Sequence, residues 1–158
     1  MKNPLRVDEM INPHVSVDCV VLGIDGEHLK VLLVKQTGHE ESGYYYNMKL
    51  PGSLIYNDED LDEAAQRVLY ELTGLNELHL IQFRACGSKN RTNNPKDTKW
   101  LERFHQLNQK VERIVTITYL TMVKIDKKLT HLSDRYEACW TDIDALCPLA
   151  FDHNQIIG

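Results

Sequence analysis

The chain has 158 residues, of which 42% are hydrophobic and 26% charged, and its formal net charge is −5 at pH 7. This composition is typical of one globular domain and excludes a disordered segment, a collagen-like repeat and a coiled-coil rod. The acidic balance argues against nucleic-acid binding by this stretch alone, because isolated nucleic-acid-binding domains are usually basic.

No part of the sequence has the pattern of a targeting or membrane segment. The N-terminal residues lack the apolar stretch of a signal peptide, and no apolar run approaches the roughly 18 residues of a membrane span. The cysteines show no CxxC spacing, so we expect neither a zinc site nor a disulfide framework, but free thiols at Cys19, Cys86, Cys139 and Cys147. These features predict a cytoplasmic protein with no membrane partner.

The N-terminal part of the chain predicts a β-hairpin. Two runs rich in β-branched residues, 15–24 and 29–35, flank the dipeptide Asp25-Gly26. This dipeptide favours a tight two-residue turn, because glycine reaches positive φ without strain. Residues 1–14 are predicted to be an irregular lead-in, since their prolines disfavour regular structure.

An amphipathic helix ending at Thr73 has the clearest pattern in the sequence. A polar loop at 36–47 and a strand at 48–56, broken by a Pro-Gly pair, are predicted to precede it. Acidic residues fill its first turn, where the helix dipole favours them, and Gly74 is predicted to end it. Its N-cap is predicted at Asn57-Asp58 or Asp60. Its apolar residues recur at three- and four-residue spacing: Leu61, Ala64, Ala65, Val68, Leu69 and Leu72.

The rest of the chain predicts further strands around this single long helix. The predicted elements are a strand at 78–83, a polar stretch at 88–112 with one short helix at 98–109, strands at 113–124 and 138–141, a helical turn at 143–146 and the beginning of a helix at 152–157. This order predicts an α/β fold of the α+β sandwich type, in which a mixed β-sheet packs between helices.

Residues 50–75, LPGSLIYNDEDLDEAAQRVLYELTGL, resemble the Nudix box. Aligned on Arg67, the segment keeps the spacing of that consensus without a gap. It also keeps the consensus residues at Glu59 and Glu71, whereas Ser53 stands where the consensus begins with glycine. The resemblance implies a Nudix fold.

The box is degenerate at the positions that carry chemistry in the family. Family glutamates at the helical positions held here by Val68, Glu71 and Leu72 bind the divalent metals that activate the attacking water. With one carboxylate left, Glu71 is a weak metal candidate, and the resemblance implies no resident cofactor and no efficient hydrolysis. Glu59 and Arg67 are implied to be vestigial and to brace the turn before the helix. Glu71 is equally consistent with a solvated residue or a partner of Arg67.

The resemblance extends over about 13–158 to Nudix-related transcriptional regulators of the NAD-biosynthesis and arabinose-repressor groups. It is carried by the start VSVDCVVLGI, the strand at 112–120 and the tail at 148–153. In these regulators a Nudix domain, usually dimeric, precedes a winged-helix DNA-binding domain. A Nudix-like domain at 15–158, a DNA-binding domain after residue 158 and a homodimer are therefore implied. Residues 89–110 are longer than the group's usual loop beside the pocket, which leaves the effector open.

Several side chains are candidate ligand contacts because of their places near the expected pocket. Cations among them suit phosphate groups, and an ordinary surface role is the alternative for each. The candidates are Tyr46, Lys49, Ser53, Glu71, Arg84, Glu112 and Arg113. Asp152 and His153 are candidates for a contact between domains. Trp100 and Phe104, in the predicted short helix, are interpreted as packing residues.

The sequence leaves three functions open, of which we favour the first. It is an effector-sensing domain of a transcriptional regulator that binds an ADP-ribose-like nucleotide, or a sugar such as arabinose, without efficient hydrolysis. The second is an active magnesium-dependent Nudix hydrolase of a nucleoside diphosphate derivative such as ADP-ribose, with metal held by Glu59, Glu71 and the further candidate Glu112. The third is another binding module with a vestigial pocket.

Overall fold

The structure, a computed structural model, describes residues 11–40, 43–88, 113–126, 132, 136–145 and 153–157. The strands are β1 (Ile11–Asp25), β2 (His28–Glu40), β3 (Gly43–Lys49), β4 (Gly52–Tyr56), β5 (Ile81–Cys86), β6 (Val115–Lys124) and β7 (Cys139–Asp142). The helices are α1 (Leu61–Thr73) and α2 (His153–Ile157), and a 3₁₀ turn spans Ile143–Ala145.

The strands form one mixed sheet in the order β3-β2-β1-β6-β5, with β4 paired to β1 and β7 paired to β2. The long central strand β1 runs parallel to β6 and antiparallel to β2 and β4. This mixed sheet, packed against the long helix α1 in the described part of the chain, confirms the predicted fold class.

The two faces of the sheet bury different sets of side chains, because successive residues of a strand point to opposite faces. The face toward α1 carries the larger cluster: Val17, Cys19, Val21, Leu32, Val34, Ala64, Ala65, Val68, Leu69, Leu72, Leu75 and Tyr119. The other face carries a smaller cluster: Val20, Val31, Leu33, Leu50 and Ile156. Helix α2 therefore packs on the side of the sheet opposite α1.

Helix α1 has the boundaries that the sequence predicts. Its N-cap is Asp60, whose backbone N–H donates to the carboxylate of Glu63 at 2.9 Å. Its end is fixed by Gly74, which adopts a left-handed conformation with φ of 83° and donates its N–H to the carbonyl of Tyr70 at 2.9 Å.

Replacing Gly74 with alanine is expected to lower the free energy of unfolding by about 1 kcal/mol, because a Cβ atom disfavours the left-handed conformation. Urea denaturation measures the loss. The control is Gly87→Ala, where an added Cβ would meet Val115 at 3.5 Å and Arg113 Nη2 at 3.8 Å, both ordinary contact distances. Equal losses in the two variants would show that the C-cap conformation is not the cause.

Two predictions about the N-terminal half are wrong. The irregular lead-in was expected to reach residue 14, but β1 begins at Ile11, which pairs with Tyr56. The register shifts between Ile11 and Ser16, and Pro13 is tolerated within this irregularity because a bulge needs no ladder hydrogen bond there.

The predicted loop at 36–47 is also wrong for its described residues, since β2 and β3 pair in register from Val34↔Lys49 to Glu40↔Gly43. The polar composition of 36–47 favoured a loop prediction. The two segments instead form a two-stranded ribbon, because tyrosine favours strands and the pairing satisfies the backbone N–H and C=O groups of both segments.

Smaller differences concern element ends. Strand β5 begins three residues later than the predicted start at 78, and β6 begins at Val115 rather than at 113. Strand β7 and the 3₁₀ turn lie within a residue of their predicted places. The short helix predicted at 98–109 lies outside the described residues. No helix in the described part of the chain is long and apolar enough to cross a membrane.

Three of the cysteines lie in the described ranges, and all are free thiols, as predicted: Cys19, Cys86 and Cys139. Cys19 is buried in the core, and burial, together with the charge of Asp18, raises the pKa of its thiol. A buried thiol with a raised pKa is a poor nucleophile, so Cys19 acts as a small core residue. Cys147 lies outside the described residues.

Candidate functional site

An ion pair fixes the loop before α1 to the helix itself. The guanidinium of Arg67 donates to both carboxylate oxygens of Glu59, through Nε to Oε2 and through Nη2 to Oε1 at 3.0 Å. Only 12% of the Arg67 side chain and 3% of the Glu59 side chain are exposed. This two-point geometry is the strongest form of such a pair, and we call it the box clamp.

The box clamp also holds the strand that leads into it. Arg67 Nη2 donates to the carbonyl of Leu54 at 3.2 Å, and its guanidinium lies 4.0 Å from the ring centre of Tyr56. The backbone N–H of Tyr56 donates to Glu59 Oε1 at 2.9 Å. Burial lowers the pKa of Arg67, but the bonds to Glu59 and the attraction of Glu71 outweigh it and raise the pKa overall. The bracing role predicted for Glu59 and Arg67 matches this geometry.

The metal-binding face of the family's helix has become part of the core. Val68 is 0% and Leu72 1% exposed, and both pack in the α1-side cluster. Glu71 accepts a bond from Arg67 Nη1 at 3.1 Å, so its carboxylate is already engaged by this cation. Divalent magnesium needs oxygen ligands and room for its waters. The residues present therefore do not fit the family's metal site, and within the described ranges no three His, Cys, Asp or Glu side chains converge as a metal site.

Further buried polar side chains surround the place where β3 turns into β4, with Asp18 on the face of the sheet opposite α1 and Lys49 paired with Val34 of the α1-side cluster. Asp18 is 4% exposed and accepts a hydrogen bond from Thr116 Oγ1 at 2.7 Å. Lys49 is 1% exposed and donates from Nζ to the carbonyl of Gly52 at 2.9 Å. His153 Nε2 lies 3.4 Å from Asp18 Oδ1, and its Nδ1 accepts the N–H of Leu50 at 3.0 Å.

These side chains enclose the turn that opens the box, residues 50–53. The carbonyl of Pro51 accepts the N–H of Cys19 at 2.8 Å. A Cβ atom added at Gly52 would stand 1.8 Å from Asp18 Oδ1 and 2.7 Å from the carbonyl oxygen of Val17. Glycine is therefore required at this position by the close approach of the turn to β1.

The predicted ligand contacts lie in different environments. Lys49 and Ser53 are buried, at 1% and 4% exposure, and Ser53 pairs with Val17 in the sheet. Arg84 on β5 donates to the carbonyl of Ile156 at 3.0 Å. Arg113 is exposed and donates to the carbonyl of Gly87 at 2.6 Å. The structure thus brings Lys49 and Ser53 together at the turn and places Arg84 beside helix α2.

Glu112 and Asp152 lie outside the described residues, as do Trp100, Phe104 and the longer stretch at 89–110. Tyr46 belongs to β3, where its backbone pairs with Thr37. The ligand roles of these candidates stay predictions.

Sequence reasoning missed the buried carboxylate of Asp18 and its partner Thr116. A signal for Asp18 was present, because it is the single charged residue within the apolar run at 15–24. Its partners are distant in sequence, so only the fold identifies them. Tyr119 was missed in the same way. Its hydroxyl donates a hydrogen bond to the carboxylate of Asp62 at 2.6 Å. Burial is the larger cause, and this hydrogen bond the smaller one, of the raised pKa of Tyr119.

A mixed sheet, one long helix and the box clamp together define a Nudix domain. A model of the NUDIX domain matches residues 12–157, and the chain belongs to this family.

Among the individual proteins that the chain resembles is a transcriptional repressor. The chain is 23% identical over 150 residues to the "ADPR responsive transcriptional repressor NtrR" of Acinetobacter baylyi, covering 92% of this chain and 52% of that protein. It therefore spans about half the length of this curated relative.

Two solved structures of Shewanella oneidensis NrtR resemble the chain. Its NUDIX domain complexed with ADP ribose has a TM-score of 0.67 and 24% identity, covering 91% of this chain and 83% of that chain. NrtR complexed with a 27mer DNA has a TM-score of 0.63 and 27% identity, covering 90% of this chain and 58% of that chain.

Proposed function

We propose that the chain is the effector-sensing Nudix-like domain of a transcriptional regulator, and that it binds an ADP-ribose-like nucleotide without efficient hydrolysis. One observation carries the proposal: the box clamp is kept, while Val68 and Leu72 are sealed in the core. Glu59 and Arg67, which brace the fold, are present, whereas two positions that hold metal in the family carry the core residues Val68 and Leu72.

The hydrolase alternative needs carboxylates to hold the metals. Glu59 and Glu71, its described candidates, both bond Arg67, which is itself largely buried. Two metal ions about a pyrophosphate require several oxygen ligands to offset their hydration. Drawing both glutamates to a metal would leave the guanidinium of Arg67 without its anions, which is costly for a buried cation.

The relatives favour a nucleotide as effector. The compared NtrR is named for its response to ADPR, and the compared NrtR domain was solved with ADP ribose. None of the compared proteins is named for arabinose, so that alternative gains no support. Arg113 supports an anionic ligand, because its guanidinium is exposed and its bond to Gly87 engages one of five N–H donors.

DNA binding is proposed for a separate part of a longer protein. The net charge of −5 does not suit DNA binding by this chain, whereas the compared NrtR binds DNA and exceeds this chain in length. The winged-helix domain expected after residue 158, the homodimer and the cytoplasmic location remain part of the proposal.

A thermal-shift comparison tests the effector. ADP-ribose at 100 times its dissociation constant is expected to add about 2.7 kcal/mol of stability, which corresponds to a rise of roughly 5–10 °C in Tm for a chain of this size. AMP and ribose 5-phosphate, given separately, are controls for its two halves. NAD, ATP and arabinose are tested alongside, each with and without magnesium. If none of these compounds raises Tm, the sensor proposal fails and the vestigial-pocket alternative replaces it.

A further inference from the structure

We propose that His153 is a positioning residue that couples helix α2 to the turn at residues 50–53, so that a movement of this turn changes how α2 docks on the sheet. Its biological role rests on the proposed function, because it makes α2 the element through which effector binding is passed on. The coupling itself rests on the contacts of α2.

The imidazole of His153 contacts the turn and the sheet at the same time. Its Nδ1 accepts the backbone N–H of Leu50 at 3.0 Å, across 103 positions of sequence. In a neutral imidazole the proton is then on Nε2, which faces Asp18 Oδ1 at 3.4 Å. The other oxygen of Asp18 is fixed by Thr116. A ring that is 1% exposed and held at both nitrogens has a single orientation, set by the turn and by β1.

The other end of α2 packs on the same face of the sheet and is also bonded to β5. Ile156 is 3% exposed and packs with the cluster that includes Leu50. Its carbonyl accepts a hydrogen bond from Arg84 on β5 at 3.0 Å. Helix α2 thus contacts the turn through His153 and through Ile156, and it contacts β5 through Arg84. Two of these neighbours were predicted as ligand contacts: Ser53 in the turn, and Arg84 itself.

The turn has little room to move without disturbing these contacts. The position of a Cβ on Gly52 is only 1.8 Å from Asp18 Oδ1, so the backbone of the turn lies directly on the carboxylate that faces His153. Lys49 ties the start of the turn to the carbonyl of Gly52. Because close-packed groups pass on displacement rather than absorb it, a shift of the turn must move Asp18, Leu50 and the imidazole together.

An NMR titration of the 158-residue chain with ADP-ribose tests the coupling. The probes are the Leu50 amide, which reports the turn, and the δ1 methyl of Ile156, which reports the docking of α2. In the wild type both resonances are expected to shift along one binding curve. Binding of ADP-ribose without a response of the Ile156 methyl would contradict the coupling and leave the sensor proposal intact.

A matched pair of variants separates coupling from simple loss of packing. His153→Asn keeps an acceptor near the position of Nδ1 and is expected to retain the Ile156 response. His153→Gln places its polar group near Nε2 instead, and the response of Ile156 is expected to be lost while the Leu50 amide still shifts. A wild-type response in His153→Gln would overturn the proposal.

The coupling is also tested without ligand. Arg84→Met releases the carbonyl of Ile156 and is expected to speed amide hydrogen exchange at Leu50 about tenfold, by weakening its bond to His153. Arg113→Met is the control, since Arg113 bonds Gly87 and not α2. Unchanged exchange at Leu50 in Arg84→Met would contradict the coupling. If ADP-ribose does not bind at all, the proposed function fails. The exchange rates at Leu50 in Arg84→Met and Arg113→Met then decide by themselves whether α2 and the turn are coupled.

Discussion

Replacing Arg67 with alanine is expected to lower the free energy of unfolding by about 3–5 kcal/mol. The reason is the carboxylate of Glu59, which is 3% exposed and would be left buried without its cation. The substitution also removes the bond to the carbonyl of Leu54 and the contact with the ring of Tyr56. Urea denaturation followed by circular dichroism measures the loss.

The control for this prediction is a surface ion pair of the same chain. Lys30 lies 3.5 Å from Asp25, with 26% and 56% of the two side chains exposed. Exposed pairs contribute about 0–1 kcal/mol, so Lys30→Ala is expected to cost little. A loss below about 1 kcal/mol in Arg67→Ala as well would show that the box clamp does not stabilise the fold.

Restoring a family glutamate is expected to destabilise the chain rather than to create a metal site. Leu72 is 1% exposed in the core, so Leu72→Glu would bury a carboxylate among the apolar side chains of the α1-side cluster. Substitutions that bury an isolated charge are among the most destabilising, and we expect the free energy of unfolding to fall by about 4 kcal/mol or more. The measurement is again urea denaturation, with and without magnesium.

Leu72→Met is the matched control, because it changes shape and not charge and is expected to cost less than about 1.5 kcal/mol. The opposite result would be a Leu72→Glu variant that folds with wild-type stability and gains stability from magnesium. That result would mean that the face of α1 at positions 68 and 72 still opens to an ion.

The sequence predicted best those features that depend on local pattern. The helix from Leu61 to Thr73 follows from apolar spacing and from the glycine at 74. The β1–β2 hairpin follows from its Asp-Gly turn. The box clamp followed from the family spacing of Glu59 and Arg67, which the structure brings into contact.

Features that depend on contacts between distant segments could not be predicted. The ribbon formed by β2 and β3 looked like a polar loop, because the evidence for it is the pairing of the two segments and not the composition of either. His153 was assigned an interdomain role from its place in the tail. Its contacts with Leu50 and Asp18 depend on how α2 packs on the sheet, which no local pattern encodes.

We expect the chain to bind ADP-ribose and to leave it intact. Calorimetric titration of the purified chain with ADP-ribose and magnesium, followed by chromatography of the recovered nucleotide, measures both properties. Saturable binding and recovery of unchanged ADP-ribose are the expected results. Repeated turnover to AMP and ribose 5-phosphate would overturn the proposed function.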